Sequence, residues 1–386
     1  MGYVFTVVLV AWCTFFAVVA PRRPHPVAMM SFVFGQVLAE LPFFGIYLLV
    51  AATALAWAEG DLTSSPAQAA VELAALTVVA LGYGAWRGVR SDRVVSGALL
   101  AGLGHDWRER VTGPLRRHRP WARILLFPVA VTQPGLERIR NVSYGPAAGR
   151  ANLLDVYRRR DAPADAPVLV YLHGGGYRSG GKSREAKPLL HRLAGQGWVC
   201  VSANYRLRPE TTFPGHQIDA KRVIAWVREH GAEYGADPST VFVAGSSAGA
   251  NIAGTCALTA NDPAFQPGFE SADTSVAAAV LLYGYYGHAF GGHPDDGPDP
   301  LQPGPYLSPG APPFFVAHGT KDTWGTVEGA RRFVARLRAV STEPVVYAEL
   351  PGAQHSFDVF HSARFEAVVD SVEAFTAAVR SRQRTP

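Results

Sequence analysis

The chain has 386 residues and a formal net charge of +5, and charged side chains make up 17% of it, against roughly 25% in soluble domains. That length allows a large core plus something extra, and the shortage of charge points to membrane-embedded sequence. The basic residues, almost all Arg, cluster beside apolar runs near the N-terminus, which argues for membrane flanks and against nucleic acid as a partner.

Residues 1–90 read as a transmembrane helical region of about three spans. The apolar stretches are Tyr3 to Ala20, Val27 to Ala58 (cleanest from Leu41) and Ala67 to Trp86, each near the length a bilayer-crossing helix needs. The first has no basic residue ahead of it and Arg22 and Arg23 behind it, which fits an uncleaved span better than a signal peptide. Arg22, Arg23 and His25 follow the first stretch, Glu59 and Asp61 follow the second, and Arg87, Arg90 and Arg93 follow the third. Lys and Arg favour the cytoplasmic side. The expectation is a multi-pass cell-membrane protein with its C-terminal half in the cytoplasm.

Residues 91–140 read as an amphipathic linker or cap region. Trp107, Arg108, Arg110, Arg116, Arg117, Arg119, Trp121 and Arg123 precede the apolar run Ile124 to Phe127, a pattern suited to the headgroup zone or to a cap on the domain that follows. Pro114, Pro120 and Pro128 argue against one long helix.

Residues 141–386 alternate buried strands with amphipathic helices. Strands are expected at Val168 to Leu172, Val199 to Ala203, Val241 to Ala244, Ala277 to Leu282, Phe314 to Ala317 and Val345 to Leu350. Helices are expected at Gln217 to Arg228, Ala248 to Leu258 and Phe365 to Val379, with a Gly/Pro-rich loop from Gly291 to Pro313. This order implies a mainly parallel sheet covered by helices on both faces. Cys13, Cys200 and Cys256 are widely spaced and read as reduced apolar residues.

Two glycine motifs carry chemistry. Gly245-Ser246-Ser247-Ala248-Gly249 sits between an expected strand and an expected helix, the place for a sharp turn that holds a serine hydroxyl out toward a base. His173-Gly174-Gly175-Gly176 follows another strand. Its amides, with that of Ala248, are candidate donors to an oxyanion. In the α/β-hydrolase fold an acid and then a histidine follow the serine in the chain. Asp322 and His355 each lie in a loop after an expected strand, on the edge where open α/β sheets bind ligands. His318 precedes the acid, so its order is wrong, and His361 falls near a helix start. Glu328 and Asp358 are rival acids, and Ser246 is the rival nucleophile. Tyr177, Tyr205 and Tyr283, with His173, are candidate substrate-binding residues. Tyr285 and Tyr286 are further pocket candidates.

These motifs resemble the hormone-sensitive-lipase-like branch of the α/β-hydrolases over about Leu153 to Ala377. Further matches are Leu154-Asp155-Val156-Tyr157, Asn204 to Glu210, Phe213-Pro214 with Asp219-Ala220, and Pro351 to Phe360. The resemblance implies a Ser247–His355–Asp322 triad and an acyl-enzyme route of ester hydrolysis, with oxyanion donors from Gly174, Gly175 and Ala248. Many members of that branch carry Asp where this chain has Ser246. The segment His173 to Lys182 is also similar to feruloyl-esterase-like, arylformamidase-like and prenylcysteine-methylesterase-like relatives. An amidase or arylformamidase, or an inactive membrane-bound binding module, are the alternatives to an esterase or lipase acting on lipophilic esters. No cofactor or metal motif stands in the sequence, and it gives no oligomeric state.

Overall fold

The computed structural model describes residues 2–111, 115, 119–129, 133–147, 149–161, 164–287 and 303–384. Pro114, Arg116 and Arg117 of the arginine-rich segment, and residues 291–302 of the Gly/Pro-rich loop, lie outside these.

Four helices open the chain: α1 (Gly2–Val18), α2 (His25–Glu40), α3 (Pro42–Ala58) and α4 (Ser65–Leu103). They differ from three straight spans. The second apolar stretch is two helices that meet at 84°. Pro42 has no amide to donate and disfavours helical backbone at Leu41, whose φ of −119° and ψ of 52° end α2. The third stretch does not stop at Trp86. It runs on through Arg87, Arg90 and Arg93 to Leu103, giving α4 39 residues and a length of about 58 Å. Among the described residues α4 is the one helix long and apolar enough to cross a membrane, and α2 with α3 passes the same test as a bent pair. The first half of α4 packs with α1 and α3 around Val7, Val10, Leu49, Ala74 and Leu81. Its second half belongs to another core.

The segment expected as linker or cap holds short helices α5 (Trp107–Arg110) and α6 (Trp121–Leu126). It leans on the C-terminal half: Trp107 is buried there, Arg119 Nη1 donates to Ala363 O at 3.0 Å, and His361 N donates to Pro128 O at 2.7 Å. Trp121 and Phe127 stay exposed.

The rest of the chain forms β1 (Leu136–Ser143), β2 (Leu153–Arg159), β3 (Ala166–Leu172), α7 (Lys187–Gly195), β4 (Val199–Ala203), α8 (Gly215–His230), β5 (Ala236–Ser246), α9 (Ala248–Leu258), β6 (Ala278–Leu282), β7 (Phe314–Gly319), α10 (Val327–Val340), β8 (Val345–Leu350) and α11 (Ala363–Arg384). The eight strands run in the order β1-β2-β4-β3-β5-β6-β7-β8, with β2 antiparallel to both neighbours and the remaining pairs parallel. This is the α/β-hydrolase fold. The strand β1 begins before residue 141, where the sequence placed the start of this half.

Alternate strand residues face opposite layers. Val168, Val170, Val241, Val243 and Phe314 pack with α8, α9 and α10. Leu169, Tyr171, Phe242, Phe315 and Val346 pack with α7, α11 and the second half of α4 through Val95, Ala98, Leu99 and Leu103. A Cβ at Gly102 of α4 would lie 2.7 Å from Val346 Cγ2, so the helix backbone rests directly on β8.

A buried ion pair fixes the N-terminal helices to this half. Arg364 is bonded to Glu40 with both side chains at most 2% exposed, Ser362 Oγ donates to the same carboxylate at 2.7 Å, and Arg364 Nη1 donates to Ala39 O at 3.0 Å. Removing one partner of such a pair leaves a bare buried charge and costs about 3–5 kcal/mol. Glu40→Ala is therefore expected to lower the denaturation midpoint of the full-length chain in detergent strongly, and Glu40→Met with Arg364→Met to recover most of it. A Glu40→Ala midpoint equal to wild type refutes the anchoring role.

Candidate active site

The strands β3 and β5 are neighbours, with Leu172 opposite Gly245. The loops that leave their C-terminal ends must share little space. A Cβ at Gly249 would sit 2.1 Å from Leu172 O, and one at Gly245 would sit 2.2 Å from Gly249 O. Only glycine fits either place. Between them Ser247 holds φ 55° and ψ −120°, a backbone that L side chains rarely adopt, and it starts α9. Its own amide donates to Leu282 O at 2.9 Å.

Three side chains from three loops meet there. His355 Nε2 lies 2.8 Å from Ser247 Oγ, and His355 Nδ1 lies 2.8 Å from Asp322 Oδ2. The other oxygen, Asp322 Oδ1, accepts from the amides of Trp324 at 2.8 Å and Gly325 at 2.9 Å. Burial alone pushes the Asp322 carboxyl up. The charge and hydrogen bond of His355, the nearby His318 and the Trp324 amide outweigh it and hold the group below its ordinary value. His318 also reaches Asp322 Oδ2 at 3.4 Å, but its ring is fully buried and bonded to Gly325 O at 3.1 Å. His361 is bonded to Glu366, and Glu328 lies near Arg22 and Arg331 on the surface.

Asp358 is not beside the imidazole nitrogens but behind the elbow. It accepts from Ser246 Oγ at 2.5 Å, from the Tyr283 hydroxyl, and from Tyr171 OH at 3.4 Å. The rival nucleophile Ser246 is thus fully buried and occupied.

The glycine loop departs from the expectation at one residue. The Gly174 amide donates to Glu185 Oε2 at 2.5 Å, so this N–H is already bonded. A carboxylate buried at that point has to take such a donor, and burial with the nearby Asp358 pushes the Glu185 carboxyl up. The amides of Gly175 and Gly176 have no acceptor among the described residues. Both residues have positive φ, 121° and 60°, and a Cβ at Gly175 would lie 2.0 Å from Ser179 O. The Ala248 amide opens α9, where no carbonyl of the helix can accept it.

The four substrate-binding candidates serve inside the protein. His173 is 1% exposed, its Nδ1 lies 2.6 Å from Gly174 O, and its ring stacks on Tyr205 at 4.5 Å. Burial lowers its pKa to about 4. Tyr205 OH donates to His173 O at 2.8 Å. Tyr283 is fully buried, with its ring edge-on to His355 at 4.7 Å. Tyr177 is buried against His216 at 5.1 Å. Tyr286 is also buried and stacks on Phe333 at 4.7 Å. Sequence reasoning missed Glu185, eleven positions after the Gly174 amide it holds, and the aromatic rim of His355: Trp324 at 6.3 Å and Phe32 of α2 at 6.2 Å.

Residues 154–287 match the BD-FAE family model. The chain is 40% identical over 331 residues to a probable carboxylic ester hydrolase, LipM, of Mycobacterium tuberculosis, covering 77% of this chain and 74% of LipM. It is 40% identical over 328 residues to the esterase LipQ of the same organism, covering 77% of each. A share of that size is larger than residues 141–386 alone make up, so the likeness runs into the N-terminal region. Among solved structures, a butyrate-bound esterase of Thermogutta terrifontis has the same fold, with a TM-score of 0.53 at 24% identity over 63% of this chain and 93% of that one.

Losing the acceptor of a buried amide costs about 1–3 kcal/mol. Glu185→Ala is expected to slow labelling of Ser247 by a fluorophosphonate about ten- to a hundredfold, whereas Glu185→Gln, which keeps an acceptor oxygen, stays within about threefold. Equal rates in Glu185→Ala and wild type remove Glu185 from the support of the glycine loop.

Proposed function

The chain belongs to the hormone-sensitive-lipase-like esterases of the α/β-hydrolase superfamily, and from that membership we infer that it hydrolyses carboxylic esters through Ser247, His355 and Asp322. The observation that carries this reading is the pair of 2.8 Å contacts that joins serine, imidazole and carboxylate in one line.

The roles follow from the geometry. Ser247 Oγ attacks the ester carbonyl while His355 Nε2 takes its proton. Asp322 holds Nδ1–H and stabilises the imidazolium that forms. The carbonyl oxygen becomes an oxyanion, and the free amides of Gly175, Gly176 and Ala248 are the donors set out for it. As the tetrahedral species collapses, His355 returns the proton to the departing alkoxide. Water then repeats the attack on the acyl-enzyme with the same base, releasing the acid and restoring Ser247.

The N-terminal helices support a lipophilic ester as substrate. Phe5, Trp57, Leu76 and Val79 are each at least 69% exposed, an apolar surface that soluble proteins do not leave in water. We read this surface as facing a lipid bilayer. Lys321 Nζ donates to Val19 O at 3.0 Å, and Arg22 donates to Thr320 O. These contacts support a reading in which the basic segment after α1 and the hydrolase half share one side of that bilayer, the cytoplasmic side by the usual bias of Arg.

Four results test the proposal. Ser247→Ala and Asp322→Asn are each expected to lower turnover of p-nitrophenyl butyrate by at least about 10⁴. A fluorophosphonate is expected to label wild type and not Ser247→Ala, and absence of labelling in both points to a binding module. Turnover of N-formylkynurenine above that of any acyl ester replaces the esterase reading by an arylformamidase. For the membrane, the full chain is expected to stay in the pellet after alkaline carbonate extraction, and its release into the supernatant overturns insertion.

A further inference from the structure

The helix α2 lies with one face on the catalytic loops and another partly uncovered, and α1 packs along it, where a Cβ at Gly35 would lie 2.6 Å from Phe16 C. Along the first face Phe32 meets the His355 ring edge-on at 6.2 Å and the Trp324 ring at 5.7 Å. One turn on, Gln36 Nε2 donates to Ser356 O at 3.4 Å. The next turn carries Ala39 and Glu40, bonded to Arg364 and Ser362. Ahead of the helix, Val19 and Arg22 hold Lys321 and Thr320. These contacts fall on the loop of Asp322, the loop of His355 and the first turn of α11 that follows it.

The second face is apolar. Val33 is 63% and Val37 48% exposed, while Phe34 stacks on Phe16 of α1 at 6.0 Å. Adjacent residues of one helix thus point to opposite surroundings, Phe32 to the catalytic imidazole and Val33 outward with the rest of the apolar surface.

Among the described residues the imidazole is mostly covered. Tyr283 covers it from the core, Asp322 holds Nδ1, and His355 as a whole is 8% exposed. Phe32 is half-buried and Trp324 is 43% exposed, so these two rings form its partly open rim. An ester bound at Ser247 places a short acyl group near the hydroxyl, and the rim of Phe32 and Trp324 offers a longer chain apolar contact beside it.

We propose that α2 is one wall of the substrate passage and that Phe32 is a specificity-determining residue, making apolar contact with a long acyl chain that enters from the lipid along this helix. The inference rests on the ester-hydrolase reading with Ser247 as nucleophile.

The test uses the full-length chain in detergent micelles and two substrates, p-nitrophenyl butyrate and p-nitrophenyl dodecanoate. Active sites are counted in each variant by fluorophosphonate titration. Phe32→Ala is expected to lower kcat/KM for the dodecanoate, relative to the butyrate, by about tenfold and mainly through KM, because the lost contact is with the chain and not with the reacting atoms. Phe32→Leu, which keeps an apolar side chain, is expected to recover at least half of that loss on a logarithmic scale. Full titre with a chain-length ratio within twofold of wild type overturns the inference and leaves the hydrolase intact. A fall of kcat alone, equal for both substrates, also overturns it, since that marks a purely structural role. If Phe32→Ala loses its titre, Phe32→Leu and Phe32→Trp decide, and an unchanged ratio in both overturns the proposal. Wild type without a reactive serine sinks the underlying hydrolase reading instead.

Discussion

The close approach of two strand ends governs the site. Where Leu172 of β3 and Gly245 of β5 lie in register, backbone meets backbone with no side chain between. Glycine at 245 and 249 permits this, and the chain can then turn sharply enough to give Ser247 its positive φ. The same approach puts the glycine loop beside the serine, since a Cβ on Gly174 would already lie 3.0 Å from Ser247 Cβ. The proposed nucleophile and oxyanion donors are thus set by sheet register, on rigid backbone, before any substrate arrives.

Behind this surface lies a second arrangement, polar and dry. The carboxyl groups of Asp358 and Glu185 are both buried, and burial raises both. Neither has a close cation among the described residues: the nearest guanidinium contact of Glu185 is Arg184 Nε at 3.9 Å. Hydroxyls and an amide satisfy them instead, which is what makes such burial tolerable. Each donor is also attached to the chemistry. Ser246 precedes Ser247, Tyr283 flanks His355, and Gly174 begins the glycine loop. The Ser246 hydroxyl donates to the carboxyl of Asp358, more than a hundred residues away in the chain.

How much of this the sequence discloses depends on how local the signal is. The inner strands are continuous apolar runs because both faces are covered, and β4, β8 and α9 begin and end where their composition changes. The edge strand β1, Leu-Glu-Arg-Ile-Arg-Asn-Val-Ser, is half-buried and studded with charge, so it does not read as core. The helix α10 carries four arginines in 14 residues, which hides its apolar stripe. The motif residues of the candidate site are legible because each chemistry demands a particular residue at a particular loop. The partners that hold them are not. Glu185 pairs with Gly174 across a turn, and Phe32 meets His355 from the opposite end of the chain. Neither leaves a periodic trace. The break at Leu41–Pro42 was signalled by proline alone, within a run apolar enough to pass for one span.

The N-terminal helices are for this reason part of the packed structure. The helix α4 joins two cores without a break: its first half packs among α1 and α3, and its second half supplies Val95, Ala98, Leu99 and Leu103 to the layer over β8 and α11. A flexible tether would let the hydrolase half tumble relative to the apolar surface. A continuous helix fixes the angle between them, and the buried Glu40–Arg364 pair fixes the rotation. Deleting residues up to about 100 thus does more than release a soluble domain. It strips a layer from the sheet and uncovers apolar side chains that otherwise gain roughly 1.5–3 kcal/mol each from burial. The position of Ser247 and His355 relative to the apolar surface is thereby built into the same contacts that complete the core.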